Sequence, residues 1–209
     1  NPHALQLSTL VRTWLGIVRN PTFWAFTALS TFAYSGLFTF LASSSFVFIR
    51  VLGLSAQQYG LVMFANSFLY ILGTFLCRRL LVRFGVRRTV AIGGALTLGG
   101  AATMAALSLA GVQSVWAIEI PFGLFMLAHG IHNPCGQSGA VGPFPQAAGA
   151  ASALNGFLAM VSAFATGQWL GTHMDGTVRP LAYGVWFWSV IISGCAWTLV
   201  QRYGSSSER

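Results

Sequence analysis

The chain has 209 residues, 55% of them hydrophobic and only 7% charged, against roughly 25% charged in an ordinary soluble domain. So few charges cannot cover a water-facing surface without leaving large apolar patches, which excludes a soluble globular fold. The formal charge of +8 rests on arginine alone, because the chain has no lysine, and that also excludes a phosphate-binding Gly-Lys-Ser/Thr loop.

In chain order, Leu7, Leu10, Val11, Trp14, Leu15 and Val18 recur at helical spacing with Arg12 and Arg19 among them. This predicts an amphipathic helix lying on the inner membrane surface. The chain opens on Asn1-Pro2, with no cleavable signal peptide, and is expected to be a fragment whose residues 1–20 form a cytoplasmic linker from an upstream half. Six charge-poor stretches follow, each long enough to cross a bilayer core, which takes about 20 apolar residues. They run from Thr22 to Phe48, Gln57 to Cys77, Thr89 to Ala110, Ser114 to Asn133, Gln146 to Gly171 and Pro180 to Val200. Pro21 suits a first helical turn, where its missing N–H costs nothing. Breaks are expected at residues 52–55, at Gly111-Val112-Gln113, across Pro134 to Pro145 and at Asp175-Gly176. Residues 21–202 therefore read as an all-α integral membrane bundle, with 203–209 as a cytoplasmic tail. The runs are continuously apolar, without the alternation of a membrane β-barrel.

The arginines orient the bundle. If the first span begins inside, Arg12, Arg19, Arg78, Arg79, Arg83, Arg87, Arg88, Arg202 and Arg209 fall on the inner side, and only Arg50 and Arg179 on the outer. Under the positive-inside rule both ends then lie in the cytoplasm. The positive charge reports topology and anionic headgroups, and because it gathers at helix ends it does not read as a nucleic-acid surface. Cys77, Cys135 and Cys195 lie toward the inner halves of spans, where disulfides are not expected, and read as small packing residues.

Two blocks give the chain a family resemblance. Ser44-Ser45-Phe46-Val47-Phe48-Ile49-Arg50-Val51-Leu52-Gly53-Leu54-Ser55-Ala56-Gln57-Gln58-Tyr59-Gly60 resembles the end of the seventh helix and the following loop in the Bcr/CflA group of multidrug efflux proteins, within the major facilitator superfamily. Gly142-Pro143-Phe144-Pro145-Gln146-Ala147-Ala148-Gly149-Ala150-Ala151-Ser152-Ala153-Leu154-Asn155-Gly156-Phe157 is similar to the loop between its helices ten and eleven. The resemblance runs from about Leu10 to Arg202. It implies helices seven to twelve, the carboxyl-terminal six-helix half of a transporter built from three plus three inverted repeats. It further implies a proton-driven antiporter of the bacterial inner membrane that exports drugs or small amphipathic molecules by alternating access. The missing amino-terminal half is its partner, and a proton gradient rather than a cofactor drives it. Arg83, Gly85, Arg87 and Arg88 are similar to the superfamily's basic cytoplasmic gating loop. Val82 stands where that motif has an acid and Arg78 replaces its glycine, so an inner-face charge anchor is the simpler reading.

Polar side chains inside a membrane tend to face the bundle interior or a wet cavity. Helical spacing gathers Thr27, Thr31, Tyr34, Phe38 and Ser45 in the first span, and Tyr59, Asn66, Tyr70 and Gly73 in the second. The fourth gives Glu119, Phe122, Met126, His129 and Asn133, and the fifth Ser152, Asn155, Ala159, Ser162 and Thr166. By resemblance these spans flank the central cavity. The candidate substrate-cavity residues are therefore Tyr34, Phe38, Asn66, Tyr70, Glu119, Phe122, Met126, His129 and Asn155, a mixture that suits amphipathic molecules of varied shape. For any one aromatic, packing or lipid contact is the competing reading. Glu119, the only acid within a span, is a candidate proton carrier or partner for a cationic substrate, or else a carboxylate reaching the outer headgroups.

Other classes leave weaker traces. His129, His132 and Cys135 have metal-ligand chemistry, but helix geometry turns them apart and Pro134 is expected to break the helix between them, so no metal site is assigned. Gly136-Gln137-Ser138-Gly139 has the form of a rhomboid-type protease motif, yet the only later histidine, His173, lies on the outer side. No enzyme activity is expected. A half-size chain acting as a homodimer or accessory subunit is the remaining alternative. Small-residue clusters such as Gly93-Gly94 and Gly99-Gly100-Ala101-Ala102 allow close helix approach.

Overall fold

The computed structural model describes residues 7–204. The expected tail beyond them, with Arg209, lies outside the described residues, as do the side chains of Leu7 and Leu10. Helix α1 (Leu7–Val18) leads into α2 (Pro21–Ser45). Val11, Trp14, Leu15 and Val18 of α1 are exposed while Ile17 is buried, and the Trp24 indole N–H donates to the Val18 carbonyl at 2.6 Å, fastening the two helices. Pro21 opens α2, and the Asn20 side chain accepts from the Thr22 and Phe23 amides, which have no intrahelical acceptor at a helix start.

The remaining elements are α3 (Ala56–Leu109), α4 (Val115–Val141), α5 (Ala148–His173), α6 (Arg179–Trp197) and the short α7 (Leu199–Tyr203). Among the described residues five helical stretches are long and apolar enough to cross a membrane. The one covering α3 has 54 residues, about 80 Å at 1.5 Å per residue, far more than a hydrocarbon core of about 30 Å. Gly85 divides it: its φ of 70° and ψ of 175° are non-helical, and a left-handed φ is open to glycine without a Cβ clash.

Contacts along the bundle give the direction of each limb. Residues Asn66, Gly73 and Cys77 of the first limb meet Glu119, Leu127 and Cys135 of α4 in ascending order. Gly93 and Gly100 of the second limb meet His132 and Pro121 in descending order. The first limb is thus parallel to α4 and the second antiparallel, so the chain reverses at Gly85 and α3 makes two crossings. Helix α2 runs antiparallel to α4 (Ser30 by Gly136, Phe40 by Phe122) and parallel to α5 (Ser30 by Asn155, Ser35 by Ser162). The second limb of α3 is antiparallel to α6, with Arg87 by Gln201 and Gly94 by Ser193. Six alternating crossings result. They put Arg12, Arg19, Arg78, Arg79, Arg83, Arg87, Arg88 and Arg202 at one face, and Arg50 and Arg179 at the other.

Three boundaries differ from the sequence reading. The expected loop between Cys77 and Thr89 is helical on both sides of Gly85, so Arg83, Arg87 and Arg88 stand on helix ends beside a one-residue reversal. The expected break beginning at Pro134 is absent, because α4 continues through both Pro121 and Pro134 to Val141. Membrane helices tolerate proline where neighbouring helices and side chains take up the freed backbone groups. At the end of α2 the helix widens over Phe46–Val51 into a π-type turn, with the Leu52 amide donating to the Val47 carbonyl. The Ser55 hydroxyl and Gln58 side chain then cap α3 reciprocally.

Small residues set the closest approach. A Cβ at Gly130 would stand 2.6 Å from the Tyr70 carbonyl oxygen and 2.7 Å from the Gly73 carbonyl carbon, and one at Gly73 would collide with the Leu127 carbonyl. Here α3 and α4 pack backbone to backbone, the contact that drives helix association where lipid removes the hydrophobic force. At the arginine-poor face Thr177 donates twice to the Asp175 carboxylate, holding that carboxyl below the usual range.

Candidate functional site

A cavity of about 410 Å³ opens between α2, the first limb of α3 and α4. Helix α2 contributes Tyr34, Leu37, Phe40 and Leu41; α3 contributes Met63, Asn66, Ser67, Tyr70 and Ile71; α4 contributes Phe122, Met126, His129 and Asn133. The spacing within each set follows the helical repeat, so one stripe of each helix faces the void. Phe40, Phe122 and His129 of the lining belong to a run of rings that continues through Phe125, which is buried and not itself on the wall. Phe40 stacks on Phe122 at 3.6 Å, Phe122 on Phe125 at 5.2 Å and Phe125 on His129 at 6.1 Å, each pair within 11° of parallel. Tyr70 leans on His129 from across the cavity, 5.6 Å between ring centres.

Polar groups mark its two ends. Toward the arginine-rich face, the Asn133 amide donates to the Tyr70 hydroxyl at 3.1 Å. Toward the opposite face, the Asn66 amide donates to Glu119 Oε2 at 3.3 Å. Three buried atoms in this region have no hydrogen-bond partner: Asn66 Oδ1, Glu119 Oε1 and His129 Nδ1. Unpartnered buried polar atoms are rare in folded proteins; others among the described residues stand away from this cavity, on Thr27, Thr31, Ser108 and His132.

Of the residues selected from sequence, Tyr34, Asn66, Tyr70, Phe122, Met126 and His129 line this cavity. Glu119 sits behind Asn66, buried at 8% exposure, rather than among the headgroups. Phe38 is turned away, its ring 3.3 Å from where a Cβ on Gly167 of α5 would stand. Asn155 does not reach the void. It accepts from Ser30 at 2.9 Å and donates to Gln137 at 2.8 Å, tying α2, α4 and α5 together. Its neighbours on α5 are engaged too, for Ser162 pairs with Ser35 at 2.7 Å and Thr166 donates to the Ser162 carbonyl. Of the lining residues that sequence reasoning passed over, Leu37, Met63 and Ser67 stand three positions from Tyr34, Asn66 and Tyr70, whereas Phe40 is six from Tyr34.

A second hollow, about 450 Å³, lies between α5 and α6 and is almost wholly apolar, with Trp169, Tyr183, Trp186, Phe187 and Trp188 on its walls. It carries none of the unpartnered atoms.

The remaining candidates resolve into packing. His132 turns to Thr97 at 3.1 Å, while Cys135 turns to Cys77, 3.6 Å between sulfurs. Among the described residues no group of three His, Cys, Asp or Glu is arranged to hold a metal. Ser138 donates to the Pro134 carbonyl of its own helix at 2.7 Å, and His173 lies at the other end of the bundle against the Trp169 carbonyl.

Six alternating apolar crossings, three of them lining a cavity, define a multi-pass membrane protein. Residues 2–167 match the family model of the Major Facilitator Superfamily, and the chain belongs to that superfamily. Within it the chain is Bcr/CflA-like. It is similar to the bicyclomycin resistance protein homolog of Haemophilus influenzae, with 21% identity over 179 residues. That alignment covers 86% of this chain and 45% of the relative, so the chain spans less than half the length of the curated relative it matches. No solved structure gives a significant match.

Proposed function

We propose that this chain is the carboxyl-terminal half of a proton-coupled antiporter that exports drug-like amphipathic molecules by alternating access. The observation that carries the reading is the cavity between α2, α3 and α4. Phe40, Phe122 and Met126 share its lining with Leu37, Leu41, Met63 and Ile71, and amides stand toward its two ends at Asn66 and Asn133. Flat aromatic faces and a flexible thioether accept varied shapes, while sparse polar groups orient a ligand. The name of the Haemophilus influenzae relative, a resistance protein homolog, and its greater length both favour this reading. A substrate path near the membrane midplane needs two halves rocking against each other, so the partner is an amino-terminal six-helix half.

The arginine-rich face is the cytoplasmic one under the positive-inside rule. The protein then sits in a bacterial inner membrane with both ends of this chain in the cytoplasm. Energy comes from proton re-entry, with no bound cofactor. The test is a drug-susceptibility panel on cells expressing the complete gene. Expression should lower susceptibility to amphipathic drugs, and a protonophore should abolish the difference. Resistance that persists without a proton gradient would remove proton coupling, and no resistance to any drug would remove export.

A further inference from the structure

We propose that the hollow between α5 and α6 is a phospholipid site at the arginine-poor face, with an acyl chain along its aromatic walls and the headgroup phosphate at Arg179. Such a site requires a chain embedded in a bilayer and nothing of the cavity between α2, α3 and α4.

The hollow has about 450 Å³ of space, and Trp169 of α5 and Trp186 and Phe187 of α6 line it while remaining exposed, so it opens to the side of the bundle. Its back is closed by α2. A Cβ at Gly184 would stand 2.7 Å from Thr39 Cγ2, and Trp188 stacks on Phe32 with 5.6 Å between ring centres. Helix α2 thus separates this hollow from the other cavity. Helix α6 starts at Arg179, and Trp188 lies about 13 Å further along its axis at 1.5 Å per residue. That is close to half of a hydrocarbon core of about 30 Å, the depth of one leaflet. The single hydroxyl on the α5 wall, that of Thr166, already donates to the Ser162 carbonyl. An occupant therefore needs no polar group within the hollow, and an acyl chain has none.

Charge is supplied at the outer end. Arg179, Tyr183, Trp186, Phe187 and Val190 recur on α6 at the spacing of one helical stripe. The exposed guanidinium consequently stands one turn above the hollow on the same face. Its planar fork of donors matches the oxygens of a phosphodiester, and the start of α6 adds the positive end of a helix dipole. Asp175 lies in the same loop, but its Oδ1 is taken up by two donations from Thr177. Trp169 and Tyr183 each stand one turn from the end of their helix, the level at which amphipathic rings favour the headgroup boundary. A free phosphate would use Arg179 and leave the apolar hollow empty. A diglyceride would fill the hollow and leave Arg179 unused, whereas a glycerophospholipid engages both.

The test is lipid retention by the purified, delipidated full-length protein in detergent, read by native mass spectrometry with three probes: palmitoyl-oleoyl phosphatidylglycerol, the diglyceride with the same chains, and inorganic phosphate. Arg179→Gln should weaken phosphatidylglycerol binding by about tenfold, the scale of one hydrogen bond to a charged group, and leave the diglyceride unchanged. Ala165→Trp fills the hollow from an exposed position and should weaken both lipids. Phosphate alone should not bind. If both variants retain phosphatidylglycerol as the wild type does, the site is refuted, as it would be if the amino-terminal half sealed the hollow. If Arg179→Gln lowers phosphate and phosphatidylglycerol alike, the arginine binds free anions and the proposal fails. If Ala165→Trp lowers the binding of an exported drug but not of the lipid, the hollow belongs to the drug path instead. A protein that exports no drug yet shows the expected lipid pattern would remove the export reading and keep this one.

Discussion

Two interfaces of this bundle use the same kinds of polar residue to opposite ends. Between α2 and α5, Ser30, Asn155 and Gln137 form a closed chain of hydrogen bonds, and Ser35 pairs with Ser162. Between α2, α3 and α4, Asn66, Glu119 and His129 keep unpartnered atoms beside a void. In the first, polarity fastens helices together; in the second, part of it is left unsatisfied. A polar residue in a membrane span is therefore a ligand candidate only when its neighbours leave it unsatisfied, and position on a helical face does not decide this.

The comparison can be broken by substitution, beginning with the contact that holds the second interface. Gly130→Leu would drive a side chain into the backbone of α3 at Tyr70 and Gly73. It should cost about 3 kcal/mol or more and deplete the protein from the membrane fraction, read by immunoblot against wild type. Asn155→Leu comes next. It removes two interhelical hydrogen bonds, to Ser30 and Gln137, with an expected loss of about 1–3 kcal/mol in all, seen as a lower melting temperature in detergent. Export per folded molecule should be nearly unchanged. His129→Leu should show the reverse pattern. Removing a buried nitrogen that has no partner should leave the melting temperature equal or raise it by an amount on the order of 1 kcal/mol. Drug export should fall, because the ring that closes the aromatic run is gone. The smallest effect belongs to Ser35 and Ser162. A double-mutant cycle to alanine should return a coupling of about 0.6 kcal/mol, the average for hydrogen bonds between membrane helices. If Asn155→Leu and His129→Leu behave alike, the distinction between fastening and binding polarity is wrong.

Much of the fold is legible in the sequence because a bilayer imposes length and composition. The crossings, Pro21 in the first turn of α2 and the arginine asymmetry all follow from apolar runs and their flanks. Where the reading missed, a local signal was outweighed by surroundings it cannot see. Pro134 carries a breaking signal, yet α4 passes through it, with α2 and the first limb of α3 packed alongside at Gly136 and Cys135. The Arg78 to Arg88 stretch has loop composition, but a single left-handed glycine is enough to reverse the chain. The site was legible as stripes on α2, α3 and α4. It was misread on α5, because periodicity identifies a face without saying what lies opposite. Asn155 and Ser162 look like cavity residues until Ser30, Gln137 and Ser35 are found against them.

The distinction is tested most directly by single cysteines placed in an otherwise cysteine-free full-length protein. Ser67 lies on the cavity wall and Ser162 within the α2–α5 clasp. A water-soluble maleimide should label Ser67→Cys, and an exported drug should protect it, while Ser162→Cys should stay unreactive with or without drug. Labelling at Ser67→Cys that no transported drug can block, or drug-sensitive labelling at Ser162→Cys, would contradict the assignment of the cavity to α2, α3 and α4.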